Sequence, residues 1–402
     1  MNDPFKNPFR PGAGHMPPYL AGRESEEKEF RRLLSQDTIL ENLVLTGLRG
    51  VGKTVLLEKF KPIAIQEQWL WIGADLSETT SVSEANLATR IMTDMSVVTS
   101  NLTLTLGTRK GIGFTSSSED IVQPVSYVYL ANLFETTPGL VADKLKAVLE
   151  FVWSLVRQTG RRGIIFAYDE AQNLSDHAQK DQYPLSLLLD VFQSLQRKDV
   201  RFMLALVGLP TLFPKLVEAR TYAERMFRVL SLSQLNLRER EDAILRPIAD
   251  TRCPISFSPR SVEIIAKMSG GYPYFIQFIC REVFDIWIQQ IAVQAQQPTV
   301  PQQEIMRKLD TDFFSGRWAK ATDRQRELLI IIAQLENCDG EFSVQEIVVA
   351  SANSSDSFSA SHVNQMLSTL SKAGLIYKNR YGKYSFAVPL MAGFIKRQRN
   401  HT

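Results

Sequence analysis

The sequence has little of what several function classes require. Cysteine is scarce: Cys253, Cys280 and Cys338 lie far apart and form no CxxC pair, so neither a disulfide framework nor a zinc centre is built on them. The histidines, His15, His177, His362 and His401, are equally scattered. Long apolar runs are missing. The stretch 328–333 is among the longest and falls far short of the roughly 20 residues that a membrane helix needs. Residues 1–18 carry prolines and glycines where a signal peptide would have an apolar core. Excess charge of one sign is also lacking, with 46 basic and 43 acidic residues for a formal net charge of +3. Nucleic-acid binding would therefore need a local basic face. These absences predict a cytoplasmic protein with no membrane partner.

What is present is globular in character. An apolar share of 44% and a charged share of 22% over 402 residues are enough for two or three compact units. Residues 1–22 are rich in Pro and Gly and read as an extended arm, followed by a helix over 24–34 from the spacing of Phe30, Leu33 and Leu34. A strand over 42–45, a glycine loop and a helix over 54–66 come next, and Pro62 is expected to kink or shorten that helix. A second strand (69–76) and helix (82–98) follow.

Alternation over 101–115 around Gly107 to Gly111 predicts an inserted β-hairpin with a basic tip. It reads either as a plain surface hairpin or as a tongue for DNA or a partner. Further on, a helix is expected over 140–159, a strand over 163–168, a helix over 184–195 and a strand over 202–207. Near-continuous apolar strands alternating with helices predict a parallel sheet covered on both faces. Beyond residue 239 the segments turn helical around Pro254 and Gly270 to Pro273, and the Gln- and Pro-rich stretch 289–303 reads as a linker or exposed helix end.

Gly47-Leu-Arg49-Gly50-Val51-Gly52-Lys53-Thr54 fits G-x-x-x-x-G-K-[ST] and lies between a predicted strand and a predicted helix, where the motif must lie. Its glycines let backbone N–H groups face phosphate oxygens, and the helix start, continuing through Val55, adds positive potential. Lys53 is expected to reach the β- and γ-phosphates of ATP, and Thr54 to ligate Mg²⁺. The apolar run Gly163 to Tyr168 ends in Asp169 and Glu170 and reads as a Walker B segment. Asp169 would hold Mg²⁺ and Glu170 would polarise the attacking water.

Three weaker candidates follow. Thr211, after the strand ending at Val207-Gly208, is the nearby hydroxyl that could sense the γ-phosphate, and a helix N-cap explains it equally well. Arg220, Arg225 and Arg228 fall within three helical turns. Arg225 or Arg228 could serve a neighbouring subunit as an arginine finger, or all three could line a solvated helix face.

Taken together, Pro17 to Glu24, the P-loop, Asp169-Glu170-Ala-Gln172, Gly208-Leu-Pro210, Tyr222 to Arg225 and Gly271-Tyr-Pro273 resemble the AAA+/STAND group of P-loop ATPases, in particular prokaryotic proteins similar to archaeal and replication-initiator-type ATPases. The resemblance covers about residues 17–285. It implies an ATPase core, a helical lid and an adenine pocket formed partly by Tyr19, Leu20, Gly22 and Arg23 and partly by the lid. AAA+ proteins commonly carry a lid arginine shortly after the glycine. Here Pro273 and Tyr274 stand in that place, which looks like the GxP lid motif of STAND-type ATPases and leaves Arg281 as a weak substitute for a lid sensor.

In the C-terminal region, helices are expected over 322–335, 343–350 and 359–373, followed by alternation about Asn379 to Gly382. That order is a winged helix. Ser361, Asn364, Gln365 and Ser368 would face a DNA groove, and Lys378, Arg380 and Lys383 would meet phosphates. Residues 315–402 hold 11 Lys/Arg against 7 Asp/Glu, a modest excess for a phosphate-binding module, so a protein partner is the competing reading.

The expected fold is α/β: a P-loop NTPase parallel sheet with helices on both faces, then a helical lid and a winged-helix domain. The expected divisions are an arm (1–22), an ATPase core (23–232) with the hairpin at about 100–116, a lid (233–300), a linker or helix (301–320) and the winged helix (321–402). The expected function is a Mg²⁺- and ATP-dependent, oligomerising switch acting on DNA or on a protein partner.

Overall fold

The computed structural model describes residues 6–12, 14–110, 118–249, 255–292, 299–352, 357–380 and 382–399. The chain divides into two compact units, one made of Glu24–Thr46 and Leu56–Ser231, the other of Met1–Arg23, Gly47–Val55 and Leu232–Thr402.

The first unit is built on strands β1 (Asn42–Gly47), β2 (Trp69–Asp75), β5 (Gly163–Asp169), β6 (Phe202–Gly208) and β7 (Phe227–Leu232), in the order β2-β5-β6-β1-β7. β2, β5, β6 and β1 are parallel, with Ala167 opposite Ala205 and Ala205 opposite Leu43. Every residue of β1, β5 and β6 is buried, whereas the edge strand β7 is buried only in part. This is the signature of a sheet covered on both faces.

On one face Val44, Ile164, Phe166, Leu204 and Leu206 form a core with α3 (Glu84–Thr99), α5 (Val141–Val156) and α6 (Pro184–Gln196). On the other, Trp71 meets Phe30 of α1 (Glu24–Leu34) edge-on, and Phe30 stacks on Phe60 of α2 (Lys53–Gln66) at 4.1 Å.

Several local expectations change. Pro62 neither shortens nor ends α2, which runs on to Gln66. Pro62 and Glu58, whose carbonyl loses its partner to the ring, both lie on the exposed side, while Phe60, Ile63 and Ala64 stay buried. The carbonyl is thus left on the solvent side, and packing holds the helix.

The hairpin is real, but its turn is not at Gly107 to Gly111. Strand β3 (Thr103–Lys110) passes straight through Gly107 and pairs antiparallel with β4 (Ser118–Pro124), with a register irregularity between Thr105 and Gly107. Gly107 thus serves a bulge, and the expected tip at residue 111 lies outside the described residues. Helix α4 (Tyr127–Thr136), capped by Ser126, was not foreseen. Two short helices, α7 (Leu212–Ala219) and α8 (Ala223–Met226), lead into β7.

In the second unit, α9 (Leu237–Ala249), α10 (Pro259–Met268) and α11 (Pro273–Ala292) form the helical lid around Ile244, Val262, Ile265, Phe275 and Ile279. The arm packs on it. Phe9 is buried beside Phe257, and Asn7 donates to the Arg281 carbonyl. Helix α12 (Gln302–Leu309) continues through a π-turn (Asp310–Phe314) into α13 (Ser315–Trp318).

The winged helix follows as α14 (Asp323–Gln334), β8 (Phe342–Ser343), α15 (Val344–Ser351), α16 (Ala360–Lys372), β9 (Ile376–Arg380) and β10 (Lys383–Phe386). The small sheet is ordered β8-β10-β9 and antiparallel. Thr322 and Ser343 close capping boxes with Gln325 and Glu346. A last helix, α17 (Met391–Arg399), returns to pack on α14. Pro254, residues 293–298 of the Gln-rich stretch, and Tyr381 in the wing turn lie outside the described residues. Among the described residues no helix is long and apolar enough to cross a membrane.

Candidate functional site: the glycine loop and the carboxylate strand end

β1 and β5 are parallel and separated only by β6. The chain therefore leaves both strands at the sheet's carboxyl edge, toward Gly47 from one and toward Glu170 from the other. In open α/β sheets that edge is where ligands bind.

The glycine loop is held in shape by its own lysine and by two groups distant in sequence. Lys53 donates from Nζ to the carbonyls of Gly47 (2.9 Å) and Leu48 (3.1 Å). Gly50 and Gly52 have φ of +79° and +96°, the left-handed region that disfavours side chains. A Cβ on Gly52 would meet nothing within 4 Å, so that glycine answers to conformation and to what may approach the loop, not to packing. Val51 is buried, Val55 and Arg49 are half-buried, and Thr54 is exposed at the start of α2. Lys53 and Thr54, with the open face at Gly52, suit the phosphate end of a Mg²⁺-nucleotide.

Arg23 is 5% exposed and donates from one terminal nitrogen to the carbonyls of Val51 (3.0 Å) and Ser233 (3.0 Å). Its visible work is to brace the loop. On the lid side, Pro273 fills the first position of α11, where a missing N–H costs nothing. The next N–H, of Tyr274, has no partner inside the helix and donates to the Gly50 carbonyl at 3.1 Å. A Cβ on Gly50 would stand 3.2 Å from that of Tyr274.

Of the other arm residues, Tyr19 lies under the Arg246 guanidinium at 4.4 Å, Leu20 is half-buried, and Gly22 has φ +62° with Glu239 where a side chain would go. Arg49 points elsewhere. Its guanidinium is 3.6 Å from the place a Cβ would take on Gly374. Burial, and then the Arg49 charge, lower the pKa of Arg317. Arg281 faces Asp285 at 4.0 Å.

At the end of β5, Asp169 is 5% exposed; its carboxylate accepts from the Glu170 N–H at 2.7 Å, and its carbonyl from Leu76 N–H at 2.9 Å. Glu170 has φ +51° and an exposed side chain. A residue in this region without glycine's freedom marks a turn held by its surroundings. Those surroundings are the two residues beyond Ala171. Gln172 donates to the Glu170 carboxylate and accepts from Leu209 N–H at 3.1 Å, and Asn173 donates to the Leu76 carbonyl at 2.9 Å.

Among the described residues no group of three or more His, Cys, Asp or Glu stands ready for a metal. Mg²⁺ commonly takes one or two carboxylates, waters and phosphate oxygens, and Asp169 in one unit and Thr54 in the other each carry an oxygen donor of that kind.

Thr211 stands at the N-cap of α7, but its hydroxyl makes no capping bond and its backbone is helical. The three arginines do not share a helix face, contrary to expectation. Arg220 follows α7 and forms a two-pronged pair with Asp190 (2.8 and 2.7 Å). Arg225 is exposed on α8, and Arg228 lies on β7 facing Glu29 at 3.3 Å. The strand intervened because Phe227 to Leu232 pairs with β1 at the sheet edge. Gln172 and Tyr274 were not read as site residues. A polar residue two places after the carboxylate pair was the available signal for Gln172, and the helix-starting proline before Tyr274 was the signal that its N–H would bond outside the helix.

On α16, Ser361, Asn364, Gln365 and Ser368 are exposed opposite buried Val363, Met366, Leu367 and Leu370. Lys383 pairs with Glu346 at 3.4 Å, Lys378 lies on β9, and the Arg380 side chain lies outside the described residues.

A family profile described as a domain of unknown function (DUF8462) matches residues 311–395. No curated protein matches the sequence. Among solved structures, the Walker-type ATPase PABY2304 of Pyrococcus abyssi is similar at 16% identity and TM-score 0.55, with 94% of this chain and 96% of that one covered. The Aeropyrum pernix ORC2 protein, solved in ADPNP–ADP complexes, is similar at 15% identity and TM-score 0.53, with 97% and 98% covered; its ADP form gives 16% and 0.53. At such identities the likeness is one of fold. The chain has the fold of the AAA+ Walker-type and archaeal replication-initiator-type ATPases that its motifs resemble: an α/β P-loop sheet, a helical lid and a C-terminal winged helix.

Proposed function

We propose that this chain is a Mg²⁺-dependent ATPase that hydrolyses ATP to ADP and phosphate, working as an oligomerising nucleotide switch that repositions its winged helix on DNA. The observation that carries the reading is the glycine loop, where Lys53 is already turned onto the loop and Gly52 presents an open backbone. Lys53 and the loop N–H groups bind the phosphates, and Thr54 and Asp169 hold Mg²⁺, which when bound neutralises charge building on the phosphates. Glu170 orients and takes the proton of the attacking water.

Arg23 and the rest of the Tyr19–Arg23 stretch, with Pro273 and the lid, border the adenine side. Thr211 reports on the γ-phosphate. Arg225 or Arg228 reaches a neighbouring subunit's nucleotide. The division into arm, core, lid, linker and winged helix at the boundaries given above, and a cytoplasmic setting, belong to the same proposal.

The loop's bond to Tyr274 supports nucleotide control of the lid: a ligand that reshapes the Gly50 carbonyl also shifts the helix that leans on it. In the test, Lys53→Ala abolishes nucleotide binding, while Glu170→Gln keeps binding and stops turnover. Hydrolysis unchanged in the Glu170 variant would refute the assignment of the base.

One observation favours a second reading, an ATP-gated signalling or defence scaffold whose winged helix recruits a protein. The groove-facing candidates on α16, Ser361, Asn364, Gln365 and Ser368, carry no charge, and the wing's Lys383 is already engaged by Glu346. Salt-dependent DNA binding by the full chain separates the two. Absence of binding at low salt, with and without ATP, would leave the protein-partner reading standing.

A further inference from the structure

We infer that Gln172 is the positioning residue for hydrolysis: its side chain amide holds the Glu170 carboxylate and ties it to the loop after β6. This deepens the ATPase reading and rests on it. Glu170 needs such a partner. It stands exposed at a left-handed turn just past the sheet, where a free side chain would sample many rotamers and seldom present one oxygen to a water.

Gln172 supplies the partner with both ends of one amide. Its NH₂ donates to Glu170, and its carbonyl oxygen accepts the Leu209 N–H at 3.1 Å. An amide can bridge a carboxylate and a backbone donor in this way; a carboxylate or an apolar side chain cannot. The backbone of Gln172 is held independently, its carbonyl accepting from Lys215 of α7 at 2.7 Å. Burial pushes the Lys215 ammonium below its usual pKa.

The fit also explains Gly208. A Cβ there would stand 2.5 Å from the Gln172 amide oxygen, so the end of β6 is kept bare where the amide crosses it. The segment Gly208 to Thr211 is thereby two hydrogen bonds away from Glu170, through the one Gln172 amide, and a shift in it is felt at the carboxylate.

The test uses the full chain with Mg²⁺ and ATP, measuring kcat by phosphate release and nucleotide Kd with a fluorescent ATP analogue. Gln172→Glu keeps an oxygen for Leu209 but loses the donor to Glu170. It is expected to lower kcat roughly 10- to 100-fold with Kd within about twofold, a split that a merely structural role would not give. Gln172→Ala should match it.

Gly208→Ala should also lower kcat in the wild-type background, yet cost nothing further in Gln172→Ala, where the crowded amide is gone. Unchanged or raised kcat in Gln172→Glu, a parallel loss of Kd, or additive effects of the two alanines would overturn the role of Gln172. If the wild type hydrolyses ATP and Glu170→Gln does not, those outcomes sink this inference alone. If the wild type fails to hydrolyse ATP, the ATPase reading falls first and takes the inference with it.

Discussion

The glycine loop and the carboxylate strand end are held by opposite means. The loop depends on groups far away in sequence: Arg23 of the arm bonds Val51, and Tyr274 of the lid bonds Gly50. Asp169 and Glu170 depend on their sheet neighbours and on residues close behind them, through Leu76, Gln172 and Asn173. On the ATPase reading proposed above, the difference separates affinity from chemistry: the arm and lid hold the loop that would bind phosphate, while the carboxylates are held within the sheet unit.

The sharpest break in that comparison is Lys53→Ala, expected to remove measurable ATP binding in a calorimetric titration because the loop loses its only lysine. Glu170→Gln comes next, with kcat down by about 10²–10⁴ and Kd unchanged; a matching loss of affinity would mean that the strand end also governs binding. Arg23→Ala leaves the buried carbonyl of Val51, and that of Ser233, without their donor, at about 1–3 kcal/mol. It should lower the melting temperature and weaken ATP binding about tenfold or more, with kcat at saturation little altered.

Gly50→Ala forces a side chain into the left-handed region beside Tyr274, at roughly 1–2 kcal/mol. It should raise Kd severalfold and increase protease cutting in the lid. The smallest effect belongs to a control remote from both. Burial alone would raise the Asp190 carboxyl pKa, but hydrogen bonds from Arg220 and Tyr222 hold it below the usual value. A carboxyl depressed in the folded state stabilises above its unfolded pKa of about 4, and the contribution is lost as pH falls through the lowered value. Asp190→Asn should therefore flatten acid unfolding below about pH 4 while leaving ATP binding alone.

The sheet was legible because β5 and β6 are apolar without interruption, which only a strand covered on both sides requires. The P-loop was legible because a backbone that must approach phosphate needs glycine at fixed spacing. What escaped had weak local signals or owed its structure to partners elsewhere. β7 opens directly after the Ala-Glu-Arg-Met run of α8, and only the sheet edge makes it a strand. Arg23, expected beside the adenine, is engaged by two carbonyls that no spacing rule predicts. Gln172 was visible as a residue but not as a bridge, since Leu209 lies 37 positions away.

One detail at the far end of the chain bears on ancestry. Arg397 grips Asp310, with its Nε 2.8 Å from the carboxylate, and Phe394 stacks on Phe314 at 5.2 Å. The stretch 311–395 that carries its own family match is thus clasped at its two ends. A unit whose entry and exit lie side by side can be spliced behind a different motor without rerouting the chain.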